Sequence, residues 1–233
     1  MTRYTENCQI CGSPLIYFSS VKTIACNICG TQHAVNVTCN DGHYVCDACH
    51  AAQGIMFINR YVHESRSKNP IHMAMEMMRN SDIAMHGPEH HYLVVAVLLT
   101  AYKNAGGNLA FEEALHLAAQ RAIKVPGGIC GLWGSCGAGL ATGIFVSVIT
   151  GATSLSKQEW SQANGMTAKS LARIAENGGP RCCKRNTYIA ILEAAAYLEM
   201  HFSVILEQPD RITCEFLRRN AQCRGRDCLF FAR

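Results

Sequence analysis

The chain lacks most of the signatures that would assign it a common chemistry. It has no GxGxxG after a strand, no phosphate-binding loop ending in Lys-Ser or Lys-Thr, no CxxxCxxC and no GxSxG. Dinucleotide, ATP, radical and acyl chemistry are therefore disfavoured. The N-terminus, MTRYTENCQICG, is polar and reads as no secretory signal, so a reducing, cytoplasmic setting is expected, with thiols serving metals or catalysis rather than disulfides. The longest apolar run, 138–152, is interrupted by Gly, Ser and Thr and falls short of the roughly 20 residues a membrane span needs. It predicts a buried helix and no membrane partner. The net charge of +4 is small and dispersed, which argues against nucleic acid as a partner. No linker rich in proline or glycine divides the chain.

What the chain has in abundance is cysteine, 14 in 233 residues, on an ordinary globular composition of 49% hydrophobic and 16% charged residues. That length buries a full core and carries one small extra module. The expected division is a cysteine-rich module over 1–57 and a helical domain over 58–233. In the module, Cys8 and Cys11, Cys26 and Cys29, Cys39 and His43, and Cys46 and Cys49 form four ligand pairs. The first two are CxxC knuckles spaced to flank a short β-hairpin, so a zinc-ribbon-like fold is expected. Eight ligands suit two zinc ions, held either within adjacent pairs or cross-braced between early and late pairs. His33 and His50 compete with His43 for the imidazole position, and His43 is preferred for its place between Cys39 and Cys46. So short a segment cannot build its own core, and metal binding must supply its folding free energy. A closed shell of four protein ligands favours structural zinc over catalytic zinc, with rubredoxin-type iron an alternative at the first site. Docking a protein partner or clamping the second domain is the expected use of the module.

From about residue 58 the periodicity becomes helical, giving a mainly α chain. Helices are predicted over 70–80, where four methionines read as core filler, and over 89–104, apolar on nearly every side. A scaffold helix is predicted over 108–123. Ser156 with Glu159 reads as a capping box for a helix to about 162, Thr167 as the cap of another ending at 177–178, and a further helix spans 187–202. His86, Glu89, His90 and His91 gather at the mouth of the buried 89–104 helix, where imidazoles beside a carboxylate can ligate a metal, relay protons or cap the helix. His86, Glu89 and His90 are expected to share a cavity with Cys130 and Cys136.

The remaining seven cysteines are Cys130 and Cys136 in a glycine-rich loop, Cys182 and Cys183 between Arg181, Lys184 and Arg185, and Cys214, Cys223 and Cys228 near the C-terminus. At the start of a helix, Cys182 and Cys183 are expected to have lowered thiol pKa values. Three readings are open: an iron–sulfur cluster held by some of the seven, metal-free persulfide or methyl transfer at a reactive thiol, or a further structural zinc. The site expected to carry chemistry is Cys130, Cys136, Cys182 and Cys183 with His86, Glu89 and His90, assisted by the tail cysteines.

HGPEHHYLV, CGLWGSCGAGLATGIFVS, GATSLS, GGPRCCKR and the cysteine-rich tail together resemble a domain-of-unknown-function family of anaerobic archaea and bacteria, some members of which are joined to methyltransferase domains. The likeness covers nearly the whole chain and implies oxygen-sensitive metal chemistry. The function expected is a zinc- and iron–sulfur-binding protein acting in redox, sulfur or methyl transfer, with its small-molecule donor left open. The alternative is a zinc-dependent scaffold that docks a partner without catalysis.

Overall fold

Between the two CxxC knuckles lies LIYFSSVKTIA, rich in β-branched and aromatic residues. In the computed structural model, which describes residues 7–232, it forms strand β1 (Leu15–Ala25). The Cys26–Cys29 knuckle turns the chain into β2 (Gln32–Cys39), antiparallel to β1, with Leu15 opposite Cys39 and Ala25 opposite Gln32. The register breaks between Tyr17, which faces Val37, and Lys22, which faces Val35, so β1 bulges there. No residue of β1 is buried, and in β2 only Val35 and Cys39 are. A two-stranded sheet with so little core is not stable alone in water.

Helix α1 (Asp47–Glu64) starts directly after Cys46, earlier than the predicted change of periodicity near residue 58. Its alanine-rich first turns propagate well, and Asp47 favours the positive helix start. Asn69 caps α2 (Pro70–Arg79), its Oδ1 accepting from the His72 N–H at 2.9 Å, and Met73, Met77 and Met78 are buried as core filler. Helix α3 (Glu89–Asn104) is buried without a break from Glu89 to Tyr102. It is the axis of the molecule, touching α1, α2, α4 (Phe111–Ala122), α6 (Gly137–Thr150) and α8 (Cys183–Phe202). A single turn, α5 (Ile129–Leu132), precedes α6.

Two predicted helices merge into one, α7 (Gln158–Glu176). Thr167 does not cap; inside the helix its hydroxyl donates to the Ala163 carbonyl at 3.2 Å, while the Ser156 hydroxyl closes a local turn with Thr153 at 3.1 Å. Helix α8 begins at Cys183 rather than Thr187, because Cys182 is its N-cap and the Cys182 Sγ accepts from the Arg185 N–H at 3.4 Å. Beyond α8 the tail is irregular apart from two single-turn 3-10 helices, Leu217–Arg219 and Gly225–Asp227. It is closed on itself by the Cys214 N–H to Phe230 carbonyl bond of 2.8 Å and fixed to the body by buried Phe216 and Phe230. No helix among the described residues is long and apolar enough to cross a membrane.

Helices α6 and α7 pack so closely that a Cβ at Gly143 would lie 1.8 Å from the Thr167 Oγ1 and 3.0 Å from the Ala163 carbonyl oxygen. The backbone carbonyl cannot turn away as a side chain can. Gly143→Val should therefore lower unfolding stability by about 2 kcal/mol, read as an earlier denaturant midpoint. An unchanged midpoint would mean that these helices separate without cost.

Candidate metal centres

In the N-terminal module the hairpin brings early and late ligand pairs together. One cluster is Cys8, Cys11, Cys39 and His43, the other Cys26, Cys29, Cys46 and Cys49, and within each the ligand atoms all lie within 4.8 Å of one another. The arrangement is cross-braced, first pair with third and second with fourth. Four thiolates around one tetrahedral zinc at about 2.3 Å stand about 3.8 Å apart. Here the Cys11 to Cys39 sulfur separation is 3.7 Å and the Cys29 to Cys46 separation 3.9 Å. The His43 Nδ1 lies 3.3 Å from the Cys11 Sγ and 3.5 Å from the Cys39 Sγ. Both sets can hold a metal ion. His33 and His50 belong to neither.

Backbone amides prepare these sulfurs for negative charge. The N–H groups of Ile10, Ile28 and His43 point at the sulfurs of Cys8, Cys26 and Cys39 at 3.3–3.4 Å. Burial works against ionising Cys26, yet the amides of Cys46, Cys29 and Ile28 bring its thiol down to about 6. The neighbouring Cys46 thiol and burial push Cys49 up to about 12. Cys29 is lowered as well, by Thr31, while burial raises Cys46, so without a cation the cluster favours ionising two of its thiols and keeping protons on the other two; a metal ion removes that conflict and releases protons.

Glu89, His90 and His91 sit at the start of α3, where Gly87 and Gly54 leave room for the Glu89 carboxylate. Glu89 is buried, and its Oε1 accepts from the Ala84 N–H at 3.0 Å and lies 3.3 Å from the His90 Nδ1. Its Oε2 faces the His50 Nδ1 at 3.7 Å, on the turn after Cys49. On the other ring edge, the His90 Nε2 is 3.1 Å from the Nζ of the buried Lys184, which also donates to the Ala84 carbonyl at 2.7 Å. Burial raises the Glu89 carboxyl, but His50 and His90 outweigh it and hold the group ionised. Burial lowers the Lys184 ammonium to about 8 despite Glu89. The chain His50–Glu89–His90–Lys184 joins the second cluster's helix to the start of α8. His91 stands apart, its Nδ1 on the Val125 carbonyl at 3.1 Å and its ring against Gly137.

The seven C-terminal cysteines do not gather at one point. Cys182, Cys214, Cys223 and Cys228 line one cavity with Phe216 and Phe230. No three of those sulfurs lie within 4.8 Å of one another, unlike those of the N-terminal clusters. Each of three accepts a backbone N–H at 3.4 Å: Cys182 from Arg185, Cys214 from Phe216 and Cys223 from Gly225. Asn220, which no sequence signal singled out, donates from Nδ2 to the Cys182 Sγ at 3.4 Å, its Oδ1 lying 3.2 Å from the His86 Nε2. The buried Tyr188 hydroxyl has no hydrogen-bond partner, and its ionisation is opposed by burial and next by Cys214. Cys136 belongs elsewhere, its Sγ accepting from the Asn186 Nδ2 at 3.3 Å, and Cys130 lies on α5. His86 is thus turned toward the tail cavity while Glu89 and His90 face His50 and Lys184.

The expected lowering of the Cys182 and Cys183 thiols is reversed. Burial exceeds the helix-start effect, raising Cys182 and pushing Cys183 up to about 12. Arg185 lowers the Cys182 thiol through its backbone N–H and its charge, but burial outweighs both.

Fold and sites define a mainly helical protein with an N-terminal antiparallel hairpin and two Cys/His clusters able to hold metal ions. The chain belongs to DUF5714, a family of unknown function whose model matches residues 58–231. Comparison with curated proteins and with solved structures finds no match.

Two outcomes follow. Glu89→Ala leaves His50, His90 and the Ala84 N–H without their buried anion and should cost about 3 kcal/mol in denaturant unfolding, Glu89→Gln less; equal stability of all three proteins would show the chain to be idle. In metal-free protein at pH 8, a Cys183 thiol with a pKa near 12 stays protonated. It should alkylate far more slowly than glutathione, and a rate matching glutathione would contradict its burial.

Proposed function

We propose that this is a zinc-stapled iron–sulfur protein of anaerobic metabolism: two structural zinc ions fold the N-terminal module, and one cluster on Cys182, Cys214, Cys223 and Cys228 serves as a one-electron redox centre. The observation that carries the reading is the four-cysteine cavity, in which no three of the sulfurs come within the 4.8 Å that both N-terminal clusters meet. A cubane cluster gives each iron one thiolate and so separates its cysteines further than a single tetrahedral ion does. Amide donors to the sulfurs, an unpartnered buried hydroxyl and the neighbouring Lys184 and Arg185 are the surroundings an anionic cluster requires.

Zinc in the module is supported by the sulfur–sulfur and sulfur–nitrogen separations and by the imidazole ligand, which suits zinc better than a rubredoxin-type iron site. Redox is favoured over sulfur or methyl transfer because the cluster occupies all four cavity thiols and Cys183, the adjacent candidate nucleophile, is part-buried with its thiol pushed up to about 12. A scaffold role for the module alongside this is supported by its exposed apolar side chains Ile16, Tyr17, Val21 and Ile28, which suit a protein partner.

Anaerobically purified protein should carry two zinc, and about four iron and four acid-labile sulfide per chain. Serine at Cys182, Cys214, Cys223 or Cys228 should each remove iron and sulfide while leaving zinc at two; serine at Cys130 or Cys136 should leave both unchanged. Iron lost from the Cys136 variant but kept by the Cys214 variant would overturn the ligand set, and zinc alone in the wild type would overturn the cluster.

A further inference from the structure

The cluster cavity is framed by positive charge that a cluster does not need. The anion's compensating charges are the buried Lys184 and Arg185. Outside them, the two 3-10 turns each connect residues of the cavity wall: Leu217–Arg219 lies between Cys214 and Asn220, and Gly225–Asp227 between Cys223 and Cys228. Their outward residues include Arg218 and Arg226, both exposed, while Arg219 stands over the Phe216 ring at 5.7 Å and Arg181 is exposed beside Cys182. On the two turns themselves the one acidic residue is Asp227, and Glu215, just before the first, is taken up by Arg79 in a double hydrogen bond of 2.5 and 2.7 Å. Two leucines are exposed along the same stretch, Leu217 on the first turn at 39% and Leu229 just after Cys228 at 54%. Exposed leucines interleaved with a predominantly basic set of side chains beside a part-buried ligand set are the composition of a transient docking face.

We propose that this basic rim docks an acidic one-electron carrier protein at the edge of the cluster; the inference rests on the cluster reading above. The step is electron transfer alone: the carrier is oxidised by one electron and the cluster reduced by one, with no bond made and no proton moved. A second copy of this chain is disfavoured as occupant, because the chain is itself net positive at +4. A single-stranded nucleic acid is disfavoured because Phe216 and Phe230 are turned inward rather than offered for base stacking. Electrostatic steering of this kind raises association rates by about tenfold or more and fades as salt screens it.

The test uses the full-length, anaerobically loaded protein and a reduced acidic plant-type ferredoxin as the probe. Binding is followed by anisotropy of the labelled ferredoxin and cluster reduction by stopped flow, normalised to reduction by dithionite. Binding and normalised rate should both fall about tenfold from low to 0.5 M salt, and about tenfold at low salt in the double variant Arg218→Glu, Arg226→Glu. The variant's iron and sulfide content shows whether the cluster persists. If the cluster is loaded but rate and binding are indifferent to salt and to the two reversals, docking at this face is wrong and the cluster reading stands. Tight, salt-sensitive binding of single-stranded DNA with none of the ferredoxin would also overturn it. A protein without iron or sulfide removes both proposals, which separates the two failures. Should the double variant not fold, the single variants at Arg218 and at Arg226 give the same readout at half the charge change.

Discussion

A buried carboxylate cannot stand alone, and Glu89 is the group around which this chain closes. At the first turn of a helix buried almost throughout, its carboxylate lies 3.7 Å from His50 of the module's helix and 3.3 Å from His90, whose other ring nitrogen meets the buried Lys184 from α8. Three chain segments far apart in sequence are thereby brought to one place: the exit of the metal module, the start of the central helix and the start of the helix that carries Cys182. Such a pair seldom adds net stability over an apolar core, but breaking it is costly, so it fixes which arrangement forms. Gly54 and Gly87 serve the same end, since a Cβ at either would meet the Glu89 side chain.

On this anchor two kinds of sulfur site are built with different geometry. In the module the sulfurs stand at the edge lengths of one tetrahedral ion, 3.7 and 3.9 Å, on a hairpin with almost no core of its own. Such a hairpin has to draw its folding energy from metal–ligand bonds rather than from a core. In the tail cavity the sulfurs are wider apart and the backbone is held independently, by Phe216, Phe230 and the Cys214 to Phe230 bond. That site does not depend on metal for its fold to the same degree.

Sequence pattern located the strongly periodic parts well. The 89–104 helix and the proline-started 70–80 helix stand within a residue of their expected ends, because an all-round apolar run and a capped proline start leave little choice. The four ligand pairs were legible from spacing, but their cross-bracing was not, since it depends on the hairpin register that folds pair one onto pair three. The single α7 was missed because Thr167 satisfies its hydroxyl on its own helix, something a capping pattern does not reveal. The sharing of Cys182 with the tail rather than with Cys130 and Cys136 is a contact made across the whole of α8 and an irregular segment beyond it, closed by aromatic burial and by Asn220. The direction of the thiol pKa shifts depended on burial at the start of α8, which outweighs the dipole and cannot be seen from neighbouring charges.

The claim on which the functional account turns is that the Cys182, Cys214, Cys223 and Cys228 cavity holds a cluster and not one ion. Iron-edge X-ray absorption on anaerobically isolated protein tests it directly. The account predicts an all-sulfur first shell together with a short iron–iron distance, lost in the Cys214→Ser variant. A shell of sulfur at about 2.3 Å with no metal–metal distance, or a metal edge that is zinc throughout, would contradict it.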